Sequence, residues 1–190
     1  TVFLVQSLLL ILGGTIMSNE SIFEEIKDWV IAITIAVVLA FFIRYFIVEL
    51  YKVSGPSMQP TLMGDERLVV NKFIYRFKEP AKGEVLIFQS PADPQKDYIK
   101  RVIATPGDTI EIKDGKVFVN NQLQKEEYLS RETRGSYELA TVPAGHLFVM
   151  GDNRNNSDDS RSKSVGFVPY KLIKGKAMVV FWPFNELKTL

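Results

Sequence analysis

Cysteine is absent from this 190-residue chain, and histidine occurs once, at His146. Without cysteine there is no disulfide framework and no thiolate metal site. With one histidine, the familiar ligand sets of zinc hydrolases do not fit either. The missing disulfides do not fix the compartment, because a bacterial extracytoplasmic domain can do without them. A charge excess of one sign is also lacking: 23 Lys and Arg face 22 Asp and Glu, a formal net charge of +1. That balance gives no support to a nucleic-acid partner, which would leave a basic excess or stripe. There is no internal repeat, and the only biased stretch is the Pro- and Asp-containing loop 90–96.

What the chain does have is one long apolar run. From Trp29 to Val48 it reads WVIAITIAVVLAFFIRYFIV, about 20 residues and long enough for a helix across a ~30 Å hydrocarbon core. Its single charge, Arg44, lies near the C-terminal end, where a long side chain snorkels to the headgroups. The run predicts a transmembrane helix, because a core helix of a soluble domain is seldom apolar on every face. Lys27 on one flank and Arg44 and Lys52 on the other give no positive-inside bias, so charge leaves the orientation open. Residues 1–16 form a second apolar stretch, broken by Gly13-Gly14, too short to span and without a basic leader. They read as an upstream extension, with a membrane-dipping segment as the alternative, and Met17 before an acidic stretch looks like a natural start.

After Leu62 the texture changes to short runs rich in β-branched and aromatic residues: 67–73, 84–89, 98–104, 146–150 and 177–182. The segments 109–113 and 116–119, joined by Asp114-Gly115, predict a hairpin, since Asp-Gly readily takes the positive φ angles of a type I′ turn. The expected fold is therefore mainly β. It has an N-terminal transmembrane helix (29–48) and a compact, barrel-like antiparallel β domain (49–190). The charged, weakly patterned stretch 122–142 reads as an exposed excursion, and residues 1–28 as an extension with a short polar segment.

Three places invite chemistry. Ser57 lies in the Gly- and Pro-punctuated bend Val53-Ser54-Gly55-Pro56-Ser57-Met58-Gln59-Pro60-Thr61-Leu62, an unusual address for a core residue and a suitable one for a nucleophile. A serine hydroxyl needs a base. His146 opens an apolar strand after the turn Pro143-Ala144-Gly145 and reads as structural or solvent-facing. Lysine is the other base, at a cost: a free lysine of pKa ~10.4 is neutral about once in 2,500 molecules at pH 7, so a catalytic one must be desolvated. Lys100 is the shortlisted lysine, because alternation puts Tyr98, Lys100 and Val102 on one strand face and Ile99, Arg101 and Ile103 on the other. Periodicity does not settle its role. The third place, Gly151 to Arg161, is crowded with Asn, Asp and Ser and predicts a self-hydrogen-bonded loop. Its spacing does not match a calcium loop, and no metal is expected there.

Taken together, these segments resemble the bacterial type I signal peptidases, also called leader peptidases, which are serine proteases with a Ser/Lys dyad. The matching pieces are Ser57-Met58-Gln59-Pro60-Thr61-Leu62, Tyr98-Ile99-Lys100-Arg101 with Pro106-Gly107-Asp108, Gly151-Asp152-Asn153-Arg154 through Asp159-Ser160-Arg161, and Gly166-Phe167-Val168-Pro169. Each is weak alone; in this order behind an anchor they are specific. The resemblance implies that Ser57 attacks the scissile carbonyl with neutral Lys100 as base. It further implies that Ser157 orients the lysine amine, that Asp159 pairs with Arg161, and that Asp152 pairs with Arg101. No cofactor is implied. The oxyanion would be met by the Ser57 backbone amide; some family members add a serine hydroxyl two positions earlier, but here that position is Gly55.

Substrates implied by the resemblance are secretory preproteins whose signal peptides end in Ala-x-Ala or similar small residues. Such a peptide would lie as an added strand against 51–57 and 97–100, with Val53, Met58, Leu62, Leu68, Tyr98 and Ile99 as expected pocket lining. The resemblance also places the β domain outside the cytoplasmic membrane of a bacterium, on a single-pass anchor in contact with membrane lipid. About eight residues then separate the anchor from Ser57, a tether under ~35 Å. Two other readings compete. A membrane-anchored binding module without catalysis would not need Ser57, Lys100 and Ser157 together. A self-cleaving Ser/Lys repressor would carry a DNA-binding helix-turn-helix where this chain has an apolar helix.

Overall fold

A computed structural model describes residues 19–190. The expectation about residues 1–16 lies outside the described residues. The chain divides after Ile43 into an N-terminal unit and a unit spanning 44–190.

Helix α1 runs from Asn19 to Phe46 with Arg44 in its last turn. It begins ten residues before the apolar run because the polar segment ahead of Trp29 contains no glycine or proline and continues the helix. Within it the stretch Phe23–Arg44 is long and apolar enough to cross a membrane, and none of it is buried inside the structure. At 1.5 Å per residue it spans about 33 Å. The helix stops before Val48, where the apolar run enters a strand instead.

The β unit holds β1 (Val48–Lys52), β2 (Arg67–Asn71), β3 (Val85–Gln89), β4 (Asp97–Ala104), β5 (Thr109–Lys113), β6 (Lys116–Val119), β7 (Gln122–Leu123), β8 (Tyr137–Thr141), β9 (His146–Met150), β10 (Val168–Pro169), β11 (Ile173–Trp182) and β12 (Lys188–Thr189). The large sheet has the order β1-β2-β11-β3-β4-β9-β10, with β12 on β11, and the small sheet the order β7-β6-β5-β8. All pairings are antiparallel. The mainly β expectation is met. The β5–β6 hairpin turns on Asp114 (φ 50°) and Gly115 (φ 75°), the positive pair a type I′ turn requires. A Cβ at Gly115 would also meet the Thr133 carbonyl oxygen at 2.8 Å.

The stretch 122–142 is not all loop, since β7 and β8 complete the small sheet. Its strand signal is faint because β8 is an edge strand that turns only Tyr137 and Ala140 towards the core. Three apolar clusters fill the unit. One, built on Val53, Met58, Leu62, Leu68, Ile87 and Val180, lies beneath the 53–62 bend. A second joins β4 and β9 to the small sheet through Ile103, Ile110, Ile112, Val117, Phe148 and Met150. The third gathers Leu86, Phe88, Val102, Leu147, Val149 and Val168. The alternation read for β4 appears here, with Tyr98 packed on the cluster of Val102 and Ile99 on the opposite one.

Candidate active site

The bend carrying Ser57 is held by its neighbours. Met58 (2 % exposed) and Leu62 (fully buried) drop into the core below it, which fixes the backbone and leaves the serine at the rim. From β4, Lys100 reaches the same point: its Nζ donates to Ser57 Oγ at 2.9 Å and to the Ile99 carbonyl at 3.1 Å. The ammonium lies 5.0 Å from the centroid of the Tyr98 ring. Lys100 is only 4 % exposed. Burial pulls its pKa down to about 8, against the opposing pull of Asp159, Asp158 and Asp152, and Arg161 lowers it further. At pH 7 about a tenth of such lysines is neutral, some two hundred times the fraction of a free one.

The polar loop after β9 closes over this pair. Asn153 latches the bend at two points, its amide donating to the Ser57 carbonyl at 2.9 Å and its Nδ2 to the Pro56 carbonyl at 3.1 Å. Gly151 makes that approach possible, because a Cβ there would collide with the Ser57 carbonyl oxygen and the Ser157 hydroxyl. Buried Asp152 accepts from Arg101 Nε at 2.9 Å and Nη2 at 2.7 Å, and from the Thr61 hydroxyl. This ties the loop, the lysine strand and the Ser57 bend into one network. Buried Asp159 accepts from Arg161 Nε and Nη2, each at 2.8 Å, from the Gly151 amide at 3.0 Å and from Ser157 Oγ at 2.7 Å. Each buried carboxylate therefore meets a guanidinium and further donors, the condition under which a buried charge is tolerated.

Most expected site residues thus come together: Ser57 with Lys100, Asp152 with Arg101, Asp159 with Arg161. Ser157 differs. Its hydroxyl donates to Asp159, and the Lys100 amine donates instead to Ser57 Oγ and the Ile99 carbonyl. A cleft of about 580 Å³ opens beside Ser57, walled by 51–58, 96–100 and Asp158. Val53, Met58, Tyr98 and Ile99 line it; Leu62 and Leu68 are fully buried and do not. His146 stays at the start of β9 with Nδ1 2.9 Å from the Ala144 carbonyl oxygen.

Sequence reasoning missed the Asn153 latch, the role of Thr61 and a second buried arginine. Arg154, 3 % exposed, bonds the Gly151 carbonyl (3.1 Å), Thr133 Oγ1 (2.9 Å) and Glu126 (Nη1 to Oε2, 2.8 Å). Tyr128 is held between guanidinium groups, with Arg101 4.1 Å and Arg154 5.9 Å from its ring centroid. Asn153 and Arg154 stood within a loop already singled out. Nothing in the pattern of 122–142 marked Glu126 or Tyr128.

A family model described as signal peptidase, peptidase S26, matches residues 26–182, which makes the chain a peptidase by class. It is 40% identical over 175 residues to signal peptidase I of Bacillus licheniformis, covering 87% of this chain and 93% of that one. It is 38% identical over 183 residues to signal peptidase IB of Staphylococcus aureus (strain COL), covering 87% and 94%. A crystal structure of a signal peptidase I from Enterococcus faecalis V583 is 31% identical, covers 52% of this chain and 97% of its own, and superposes with a TM-score of 0.47. The chain belongs to the signal peptidase I family, and its apolar N-terminal helix fits a membrane anchor.

Proposed function

We propose that this peptidase removes signal peptides from secretory preproteins at the outer face of a bacterial cytoplasmic membrane, with Ser57 as nucleophile and neutral Lys100 as general base. The observation that carries the reading is the 2.9 Å contact between Ser57 Oγ and a lysine nitrogen that burial has made easy to deprotonate. In the neutral state the donor and acceptor reverse, and the lysine lone pair takes the serine proton as Oγ bonds to the scissile carbonyl carbon. The Ser57 amide faces the developing oxyanion. On collapse the C–N bond breaks and Lys100 returns its proton to the departing amine, leaving an acyl ester on Ser57. Water then attacks the ester with Lys100 again as base, releasing the acid and the free serine. The Asp152–Arg101 and Asp159–Arg161 pairs position the lysine strand and the loop, and Ser157 acts through Asp159.

The signal peptide lies in the cleft as an added strand. β9 pairs with β4 only from Arg101 onwards, so the backbone of 97–100 has a free edge on that side. Val53, Met58, Tyr98 and Ile99 leave shallow apolar pockets suited to the small residues of an Ala-x-Ala end. The helix keeps the site at the membrane surface on a single-pass tether, with the β domain outside. Purified protein in detergent is expected to cleave a precursor ending in Ala-x-Ala, and Ser57→Ala and Lys100→Met to lose at least 10³-fold in rate. Undiminished cleavage by Lys100→Met would refute the dyad.

A further inference from the structure

A second cleft, of about 610 Å³, opens on the β unit away from the dyad, and Lys72, Arg76, Phe77, Lys78, Glu79 and Tyr170 are among its lining residues. Three observations point to what it holds. The hydroxyl of Tyr170 is buried with no hydrogen-bond partner, the one such side-chain atom among the described residues; native structures leave such groups unpaired seldom, and a bound ligand is one resolution. The basic side chains are unequally committed: Lys72 bridges Glu49 at 3.3 Å and Lys78 bridges Glu84 at 2.7 Å. Arg76 has no ion pair among the described residues and stacks over the Phe73 ring at 5.3 Å. Its planar fork is suited to a phosphate. Beside it Phe77 is 76% exposed, an apolar ring on a short turn next to a cation.

Chain connectivity says where this cleft works. The Lys72 amide donates to the carbonyl of Ile47 at 2.9 Å, the residue directly after α1. Ile47 follows the apolar stretch by three residues, so the chain cannot carry it more than about 11 Å from that stretch's end. The unit that carries the cleft is thus tethered directly at the end of the apolar stretch, and exposed aromatic and basic residues are the types that a membrane–water interface favours.

We propose that this cleft binds the headgroup of an anionic phospholipid, its phosphate held by Arg76 and the Tyr170 hydroxyl and its acyl region met by Phe77; this rests on the proposed membrane anchoring. With Lys72 paired to Glu49 and Lys78 to Glu84, the preference for an anionic lipid over a zwitterionic one rests on Arg76.

The test uses the full chain in neutral detergent, with phosphatidylglycerol or phosphatidylcholine added and retained lipid counted by native mass spectrometry. Wild type should retain one phosphatidylglycerol about tenfold more tightly than phosphatidylcholine. Arg76→Glu and Tyr170→Phe should each weaken it about tenfold, the scale of one charge-assisted contact. Equal retention of the two lipids, or undiminished retention in either variant, overturns the proposal. Displacement of the lipid by millimolar inorganic phosphate would reassign the cleft to free phosphate and overturn it as a lipid site. Flotation of wild type with neutral vesicles tests the anchor separately. Precursor cleavage in the same samples should be unchanged by Arg76→Glu, and its absence in wild type beside an intact lipid preference would count against the proposed activity alone.

Discussion

Arg154 and Glu126 join the loop over the active site to the 122–142 segment through a two-point ion pair whose arginine is almost wholly buried. The same guanidinium bonds the carbonyl of Gly151, the residue packed against Ser57. A segment without evident sequence pattern therefore braces the loop over the Ser57–Lys100 pair.

Removing one partner of such a pair strands a buried charge. Glu126→Ala is expected to lower unfolding free energy by about 3–5 kcal/mol, whereas the double change Glu126→Leu, Arg154→Met should recover much of that loss. Denaturant melts of the wild type and the two variants decide it. A double variant no more stable than Glu126→Ala would show that the loss came from packing rather than from stranded charge.

Gly151→Ala probes the contact beneath Ser57. The added methyl must displace either the Ser57 carbonyl or the Ser157 side chain, and a shift of about 1 Å in a reacting group costs on the order of 10²-fold in rate. Cleavage should fall by that factor or more while KM changes less, since the cleft walls do not include Gly151. A near-normal turnover number would show that the loop yields at no cost to the dyad.

How much of this was legible follows from how local each signal is. The Asp114-Gly115 hairpin and the apolar α1 depend on neighbours in sequence, and both could be read directly. The setting of Lys100 was half legible: alternation gave its strand face, but its burial depends on the bend at 53–62 and the loop at 151–161 folding over it. The partner of the Ser157 hydroxyl, Asp159, is decided by which group lies nearest in space. The partners of Arg154 are 26 and 28 residues upstream, and no period or spacing encodes a contact of that kind.

Lys100 also predicts a stability signature. An unfolded lysine titrates near 10.4 and the folded one at about 8. Below pH 8 both states are charged, and burying the ammonium destabilises the fold by about 3 kcal/mol. Between pH 8 and 10.4 the unfolded chain binds the extra proton, so stability rises with pH until the penalty is gone. Lys100→Met should therefore be more stable than wild type by about 1–3 kcal/mol at pH 7, and the difference should shrink towards pH 10. A gap that is the same at both pH values would mean packing, not charge, sets it.

The same titration should govern rate. If neutral Lys100 is the base, kcat/KM rises with pH through an apparent pKa near 8, well below a free lysine's. Asp158 supplies a sharper test, since its carboxylate is one of the charges that hold the lysine's pKa up. It lies on the cleft wall and accepts from Ser162 Oγ at 2.6 Å and from Ser164 Oγ at 3.3 Å, contacts an amide oxygen can also accept. Asp158→Asn removes the charge and keeps the shape, so the midpoint of the profile should move to lower pH by a fraction of a unit. Asp159 and Asp152 still hold the lysine's pKa up and Arg161 still pulls it down, so the shift is only partial. A midpoint that stays fixed or moves upward in this variant would show that the ionisation limiting the rate belongs to a group other than Lys100.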